Sequence, residues 1–125
     1  MGAVAARPQP GDEVSFAEIE YASKSEEYAA AAGIADGYEV ELTGFVTRPP
    51  DLQAGQFALT RFAIFCCAAD VVPHSVPVDP GGEFLNFNVD RWLTITGVLE
   101  ERNGAFVLVA QDIKPIPEPA NPYIR

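Results

Sequence analysis

Regular alternation of apolar and polar residues is the feature that most constrains the fold of this chain. From Tyr38 to Val46 every second residue is apolar or glycine, and the residues between them include Glu39, Glu41 and Thr43. Successive side chains of a β-strand point to opposite faces, so this period of two predicts a half-buried strand. Pro49 and Pro50 follow and end it.

Two further strands are predicted in the middle of the chain. Gln56 to Cys66 carries apolar groups on both faces, which is typical of a central strand. Val76 and Val78 mark a short third strand, because prolines lie on both sides of it. The segment from Glu83 to Asp90 is predicted to form a helical turn.

The last two strands are predicted as a hairpin. Trp92 to Glu100 and Ala105 to Ile113 flank Asn103-Gly104, and both turn residues tolerate the positive φ of a type I′ turn. Five strands with a helical piece between the third and the fourth are the pattern of an OB fold. The sequence therefore predicts a mostly β protein, with a small OB-like five-stranded barrel over residues 37–114.

Glycines inside two of these strands agree with a barrel. Gly44 and Gly97 lie within the predicted first and fourth strands, where small barrels need sharp bends. The residues around these two glycines are also similar. Strands at comparable barrel corners explain that similarity better than an internal duplication does, because nothing else in the chain repeats.

The barrel is predicted to have a flank on each side. Residues 1–12 indicate a flexible leader, and residues 13–36 a short helical segment with Ser15 and Ser25 as candidate helix caps. A strand from 14 to 21 is the alternative, because apolar residues also alternate there in part. Residues 115–125 contain several prolines, so we expect a Pro-rich extended tail on the surface that does not join a central strand.

The charge of the chain limits its partners. Eighteen acidic and eight basic residues give a formal charge of −10. The first 41 residues hold nine of the acids against Arg7 and Lys24. Such a field repels phosphates, so we expect no binding to nucleic acid and no direct binding to anionic membranes. Basic or metal-cation partners stay open, as does a role in solubility alone.

No catalytic or cofactor-binding residue is predicted. The sequence has no Gly-rich phosphate loop and no Ser-centred nucleophile elbow, and its single histidine limits acid–base chemistry. We therefore do not expect an enzyme. The central aromatics Phe57, Phe62 and Phe65 are interpreted as core, since Arg61 is the one cation of their strand. Trp92 is interpreted as core or rim rather than as a platform for a ligand.

Adjacent cysteines form the most distinctive motif. Cys66 and Cys67 are followed by Asp70 and His74, and these donors could together bind a soft or borderline metal such as zinc or copper. Neighbours on a strand point to opposite faces, so both thiols reach one ion only where the strand has ended or bulged. Buried structural thiols and a thiol-redox pair are the alternatives.

Four segments resemble a known family. The run Arg61 to Asp70 with its Cys-Cys-Ala-Ala-Asp element, the strand Glu39 to Val46, Trp92 to Gly97 and the closing Pro119 to Tyr123 are similar to the C-terminal soluble domain of YcgQ-like accessory subunits of two-component membrane permeases. The resemblance covers most of the chain from about Tyr38 onward. The Cys-Cys-Ala-Ala-Asp element is its specific part.

The resemblance implies a place in a larger system. Family members carry N-terminal transmembrane helices and a soluble C-terminal domain, and are encoded beside a larger permease. This implies an extracytoplasmic domain that acts on the permease by protein contact or solute hand-over. The present chain departs from the pattern, since it has no apolar run near the roughly 20 residues that span a bilayer. We therefore expect a soluble fragment of a membrane-anchored protein.

Overall fold

Two short helices precede six strands in this chain. The computed structural model describes residues 16–50, 52, 55–64, 71–81, 87–120 and 122–124. Along the described chain the elements are α1 (Phe16–Lys24), α2 (Glu26–Ala32), β1 (Glu39–Thr47), β2 (Phe57–Ile64), β3 (Val71–Asp79), β4 (Trp92–Arg102), β5 (Ala105–Pro115) and β6 (Tyr123–Ile124).

Five of the strands close into a barrel. Their order is β1-β4-β5-β3-β2, and β2 pairs back onto β1. All of these pairings are antiparallel except the one between β3 and β5, which is parallel. Five strands closed in this order form the barrel of an OB fold. The predicted fold class, an OB-like five-stranded barrel behind a short helical segment, is therefore confirmed.

The core follows the predicted alternation. Along β1 and β4, buried residues alternate with more exposed ones, and the buried set fills the barrel interior. The largest fully buried side chains are Phe57, Ile19, Leu59, Leu93, Ile95, Leu99, Leu108, Val40, Val46, Val76 and Val78. Burying one such aliphatic side chain stabilises the fold by roughly 1.5–3 kcal/mol.

The two strand glycines are positions where backbones approach closely. A Cβ on Gly44 would lie 2.6 Å from the carbonyl oxygen of Thr60, and one on Gly97 would lie 2.1 Å from that of Val109. The β4–β5 register also shifts between Thr96 and Gly97, as at a β-bulge. A side chain at either glycine would therefore collide with a neighbouring strand, and the register shift at Gly97 agrees with a sharp bend there.

The N-terminal segment is helical from Phe16 onward. Ser25 caps α2, since its Oγ accepts a hydrogen bond from the Tyr28 N–H at 3.1 Å. Gly33 ends α2 in the left-handed conformation, with φ 76°. The alternative of a strand is wrong for the described part of this segment. Residues 1–15, including the leader and Ser15, lie outside the described residues.

Helix α1 covers a thinly paired seam of the barrel. The described residues of β3 and β5 pair at Val78–Leu108 and Asp79–Val109. α1 packs against both strands, and its Phe16 and Ile19 are buried in the core. The apolar face of the helix thus closes the barrel where the sheet itself pairs least.

The third strand is longer than the sequence predicted. β3 extends from Val71 to Asp79 and includes Pro73 and Pro77. Proline lacks an N–H and is tolerated on a strand edge that needs no donor. β3 meets β5 only from Val78 onward, among the described residues, so that edge is unpaired with β5 at both prolines. Residues 83–86 of the predicted helical turn lie outside the described residues, and residues 87–90 form no helix.

The Pro-rich tail ends in a sixth strand, where an extended surface segment was predicted. Tyr123 and Ile124 pair in parallel with Phe62 and Ala63 of β2. The β1–β2 pairing stops at Phe45 and Thr60, so the edge of β2 beyond Thr60 is open to the tail. β2 therefore pairs with β1 of the barrel along one part of its edge and with the tail strand β6 along the next part.

Candidate functional site

The structure describes one of the four predicted metal ligands. Cys66, Cys67 and Asp70 lie outside the described residues. His74 lies in β3, pairs with Arg61 of β2, and is buried with 8% of its surface exposed. Within the described part of the chain, no three His, Cys, Asp or Glu residues cluster closely enough to hold a metal ion.

A carboxylate that the sequence did not single out binds His74. Glu20 of α1 places Oε1 2.6 Å from His74 Nδ1, and its Oε2 accepts the Ser75 N–H at 2.7 Å. One carboxylate thus attaches α1 to β3. His74 Nε2 is buried and has no hydrogen-bond partner among the described residues. A carboxylate on one ring nitrogen with the other nitrogen open is how metal-ligating histidines are commonly held.

A cleft of about 390 Å³ lies between the outer face of the barrel and the C-terminal tail. Its lining residues are Phe45, Phe62, Asp90, Trp92, Glu118, Pro122 and Tyr123. Three of the rings are neighbours, since the Phe45 centroid lies 5.5 Å from that of Phe62 and 5.4 Å from that of Trp92. We call this set of residues the aromatic cleft.

Arg61 holds the tail that forms one wall of the aromatic cleft. Its Nε donates to the carbonyl of Pro122 at 3.1 Å, and its Nη1 donates to that of Thr43 at 3.2 Å. The guanidinium carbon also lies 5.7 Å from the centroid of the Trp92 ring. At the other end of the tail, the Ile116 N–H donates to the carbonyl of Trp92 at 3.0 Å. Arg61, the basic residue of β2, therefore attaches the tail to the barrel.

The structure changes one of the predicted aromatic assignments. Phe57 is core, with 2% of its surface exposed, but Phe62 is 37% exposed and the prediction of Phe62 as core is wrong. Phe62 points away from the barrel interior at the part of β2 that β1 no longer covers. Trp92 is half-buried beside Phe45, in agreement with a rim position. Phe65 lies outside the described residues.

The described end of the β2–β3 hairpin is apolar and exposed. Val71 and Val72 are 36% and 38% exposed, and Pro73 after them is exposed as well. Consecutive strand residues point to opposite faces, so exposure of all three means that this end projects beyond the barrel. We call Val71, Val72 and Pro73 the hairpin tip.

The opposite end of β3 is charged. Asp79 Oδ2 lies 3.0 Å from Nη2 of Arg102, which also contacts Glu100. The pKa of the Asp79 carboxyl is lowered, mainly because the Gly81 N–H donates to it and further because Arg102 pairs with the carboxylate. This end of the barrel is thus held by polar contacts.

Strand order, N-terminal helices and the tail-walled cleft define a small OB-like barrel domain. Residues 4–125 match the family model of the DUF1980 C-terminal domain, so the chain belongs to this family. The match confirms the YcgQ-like resemblance at the family level. No helix in the described part of the chain is long and apolar enough to cross a membrane.

Solved structures of other proteins also resemble this chain. The chain is similar to the N-terminal domain of PriB protein from Thermoanaerobacter tencongensis, described as dimeric, with a TM-score of 0.38 and 19% identity. The likeness covers 65% of this chain and 98% of that one. No curated protein matches the chain.

Proposed function

We propose that this chain is the extracytoplasmic OB-like domain of a membrane-anchored accessory subunit that works with a permease. It acts by protein contact or by handing over a solute, and it does no catalysis of its own. Membership of the DUF1980 C-terminal domain family supports the proposal. The hairpin tip is the structural observation that carries it.

The hairpin tip has the chemistry of a contact element. Val71 and Val72 begin β3 with more than a third of each side chain exposed, so apolar surface is accessible on both faces of this strand end. Exposed apolar groups gathered in one place mark sites of protein interaction. Because only about a third of each valine is left to cover, a partner would stabilise a complex by roughly 0.5–1 kcal/mol per valine.

The partner of the tip is proposed to be protein. The chain carries a formal charge of −10, which disfavours anionic lipid and nucleic acid alike. A permease surface with apolar residues and surrounding basic groups would complement both the tip and the acidic domain. Neither nucleic acid nor direct lipid binding is therefore part of the proposal.

Site-specific photo-crosslinking tests this function. Benzoylphenylalanine is placed at Val71 or Val72 of the full-length anchored subunit, which is co-expressed with the permease encoded beside it. We expect a crosslink to the permease from both positions. The matched control is Glu101, which is exposed on β4 next to Arg102, at the end of β3 opposite the tip. Absence of crosslinks from the tip, or equal yield from Glu101, would refute the proposal.

A metal-binding module is a second candidate, favoured by the geometry at His74. Glu20 holds Nδ1 at 2.6 Å, and the buried Nε2 has no partner among the described residues. A buried polar atom without a hydrogen bond costs free energy, and a metal ion would relieve that cost. The proposed further ligands Cys66, Cys67 and Asp70 rest on sequence alone.

Metal titration separates this candidate from a structural histidine. Zinc or copper alone, added to metal-free protein, should raise the melting temperature. The double variant Cys66→Ser, Cys67→Ser and the single variant His74→Gln should each abolish that rise. If His74→Gln merely lowers the melting temperature and zinc has no effect on wild type, the Glu20–His74 pair is structural. A thiol count on native protein then tests the thiol-redox alternative.

A further inference from the structure

The geometry of the aromatic cleft points to a binding site for a small organic cation of the alkylated ammonium class. Aromatic rings from four separate strands form its walls: Phe45, Phe62, Trp92 and Tyr123. The face of an aromatic ring carries partial negative charge and attracts cations within about 6 Å of its centroid. A pocket walled by several such faces favours a cation whose surface is apolar.

Two carboxylates give the cleft its charge. Asp90 and Glu118 both line it, and no Lys or Arg is among the described residues of the lining. Neither carboxylate forms a salt bridge with a basic side chain within the described part of the protein. Both carboxylates are exposed, so they would attract a cation that enters the cleft and repel an anion.

The backbone fixes Asp90 at the mouth of the cleft. Asp90 has φ 74°, a left-handed conformation that is uncommon for residues other than glycine. Its N–H donates to the carbonyl of Val46 at 2.9 Å, and the Val46 N–H donates to the carbonyl of Arg91 at 3.0 Å. These two bonds fix the backbone of Asp90 against β1, so that its side chain starts from a fixed point in the lining of the cleft.

Arg61 is not the cation that pairs with the carboxylates of the cleft. Its guanidinium donates to the carbonyls of Pro122 and Thr43, and it is absent from the lining of the cleft. Its position 5.7 Å from the Trp92 centroid shows that this ring already lies at a cation–π distance from a positive charge.

Size and chemistry select the ligand class. A volume of about 390 Å³ is at the small end of ligand pockets, which hold roughly 300–1,000 Å³. Guanidinium ligands need paired acceptors in a plane, but quaternary ammonium groups need only ring faces and diffuse negative charge. We therefore assign the cleft to a small methylated ammonium solute. Its use in solute hand-over rests on the proposed function, whereas binding itself does not.

Choline titration of the chain tests the assignment. Trp92 is the only tryptophan of the sequence, so its fluorescence reports directly from the cleft. We expect saturable binding of choline and of tetramethylammonium. The neutral isostere 3,3-dimethylbutanol should bind at least about tenfold more weakly, because it keeps the shape and loses the charge.

Matched variants locate the binding. Phe62→Leu should weaken choline binding about three- to thirtyfold, as expected for the loss of one cation–π partner. Asp90→Asn should weaken it as well. Tyr21→Leu is the control, since it removes an exposed ring outside the cleft. Circular dichroism of each variant checks that it is folded.

Three results would overturn the assignment. They are no saturable choline binding by folded wild-type protein, equal affinity for the neutral isostere, and equal weakening by Tyr21→Leu and Phe62→Leu. None of them changes the crosslinking experiment, because Val71 and Val72 do not line the cleft. Failure of the solute site and failure of the permease contact are therefore distinguishable.

Discussion

The β4–β5 hairpin and the β2–β3 hairpin belong to one barrel but differ in chemistry at their ends. β4 and β5 pair down to Arg102 and Ala105, and the tight turn at Asn103 and Gly104 follows with φ 54° and 85°. Charged residues surround that turn. The described end of β2–β3 instead exposes apolar residues at the hairpin tip.

The difference teaches which part of the barrel serves stability. Asp79 ends β3 beside Arg102, whereas Val71 begins the same strand at the hairpin tip. A polar, closed turn satisfies its own groups and needs no partner. An apolar, projecting end gains nothing for the isolated domain, so its chemistry is best explained by what it contacts.

The largest expected effect compares a core residue of β4 with a tip residue of β3. Leu99 is fully buried, so Leu99→Ala should lower the free energy of unfolding by about 2–5 kcal/mol. Val72→Ala should change it by no more than about 0.5 kcal/mol, because Val72 is exposed. Urea denaturation of both variants measures this. A large loss from Val72→Ala would mean that the tip is part of the core.

A methyl group added at Gly97 should destabilise the pairing of β4 with β5. Gly97→Ala would place a Cβ 2.1 Å from the carbonyl oxygen of Val109, and backbone cannot move aside cheaply. We expect a loss of about 1–3 kcal/mol in unfolding free energy. Gly104→Ala is a useful contrast, since its Cβ meets nothing within 4 Å and its cost comes only from φ 85°. Equal mild losses would argue against steric crowding at Gly97.

Removal of the Glu20 carboxylate tests how α1 is held to the β3 side. Glu20→Ala deletes the partner of His74 Nδ1 and of the Ser75 N–H. We expect a loss of about 1–2 kcal/mol, because buried donors are left without acceptors. Hydrogen exchange should increase at Ser75 more than within β4. Uniform acceleration across the barrel would indicate global unfolding instead.

Acid should weaken the charged end slightly. The folded-state pKa of Asp79 is lowered, so its contribution is present above the ordinary carboxyl pKa of about 3.9 and is lost as pH falls through the lower folded-state pKa. Asp79→Asn should therefore cost less than about 1 kcal/mol at pH 7, since the pair is partly exposed. That cost should shrink towards zero below pH 4 in denaturation experiments. A cost that is the same at both pH values would contradict this origin.

Local patterns predicted the barrel because each strand carries its own signal. The alternation in β1, the Asn103-Gly104 turn and the glycine at position 97 are all visible within a few residues. The sixth strand is different. It forms because β1 stops pairing with β2 at Thr60, which no pattern in the tail encodes.

The candidate sites were harder to predict from the sequence, because their residues come together only in the folded chain. Glu20 and His74 lie 54 residues apart, and neither has a local motif that points to the other. The aromatic cleft joins residues of β1, β2, β4 and the tail, each of which reads as an ordinary strand or loop position. The exposure of Phe62 depends on that assembly. Composition alone favoured the core for it.

The attachment of β6 to β2 is thermodynamically coupled to ligand binding in the aromatic cleft. Tyr123 belongs both to β6 and to the cleft, and the carbonyl bonded to Arg61 belongs to its neighbour Pro122. Detachment of β6 therefore removes one ring of the four and opens one wall. By linkage, a bound cation must strengthen the attachment of β6 by the same factor that attachment strengthens binding. Amide exchange at Tyr123 should thus slow when choline is present, so that the last strand reports the occupancy of the site.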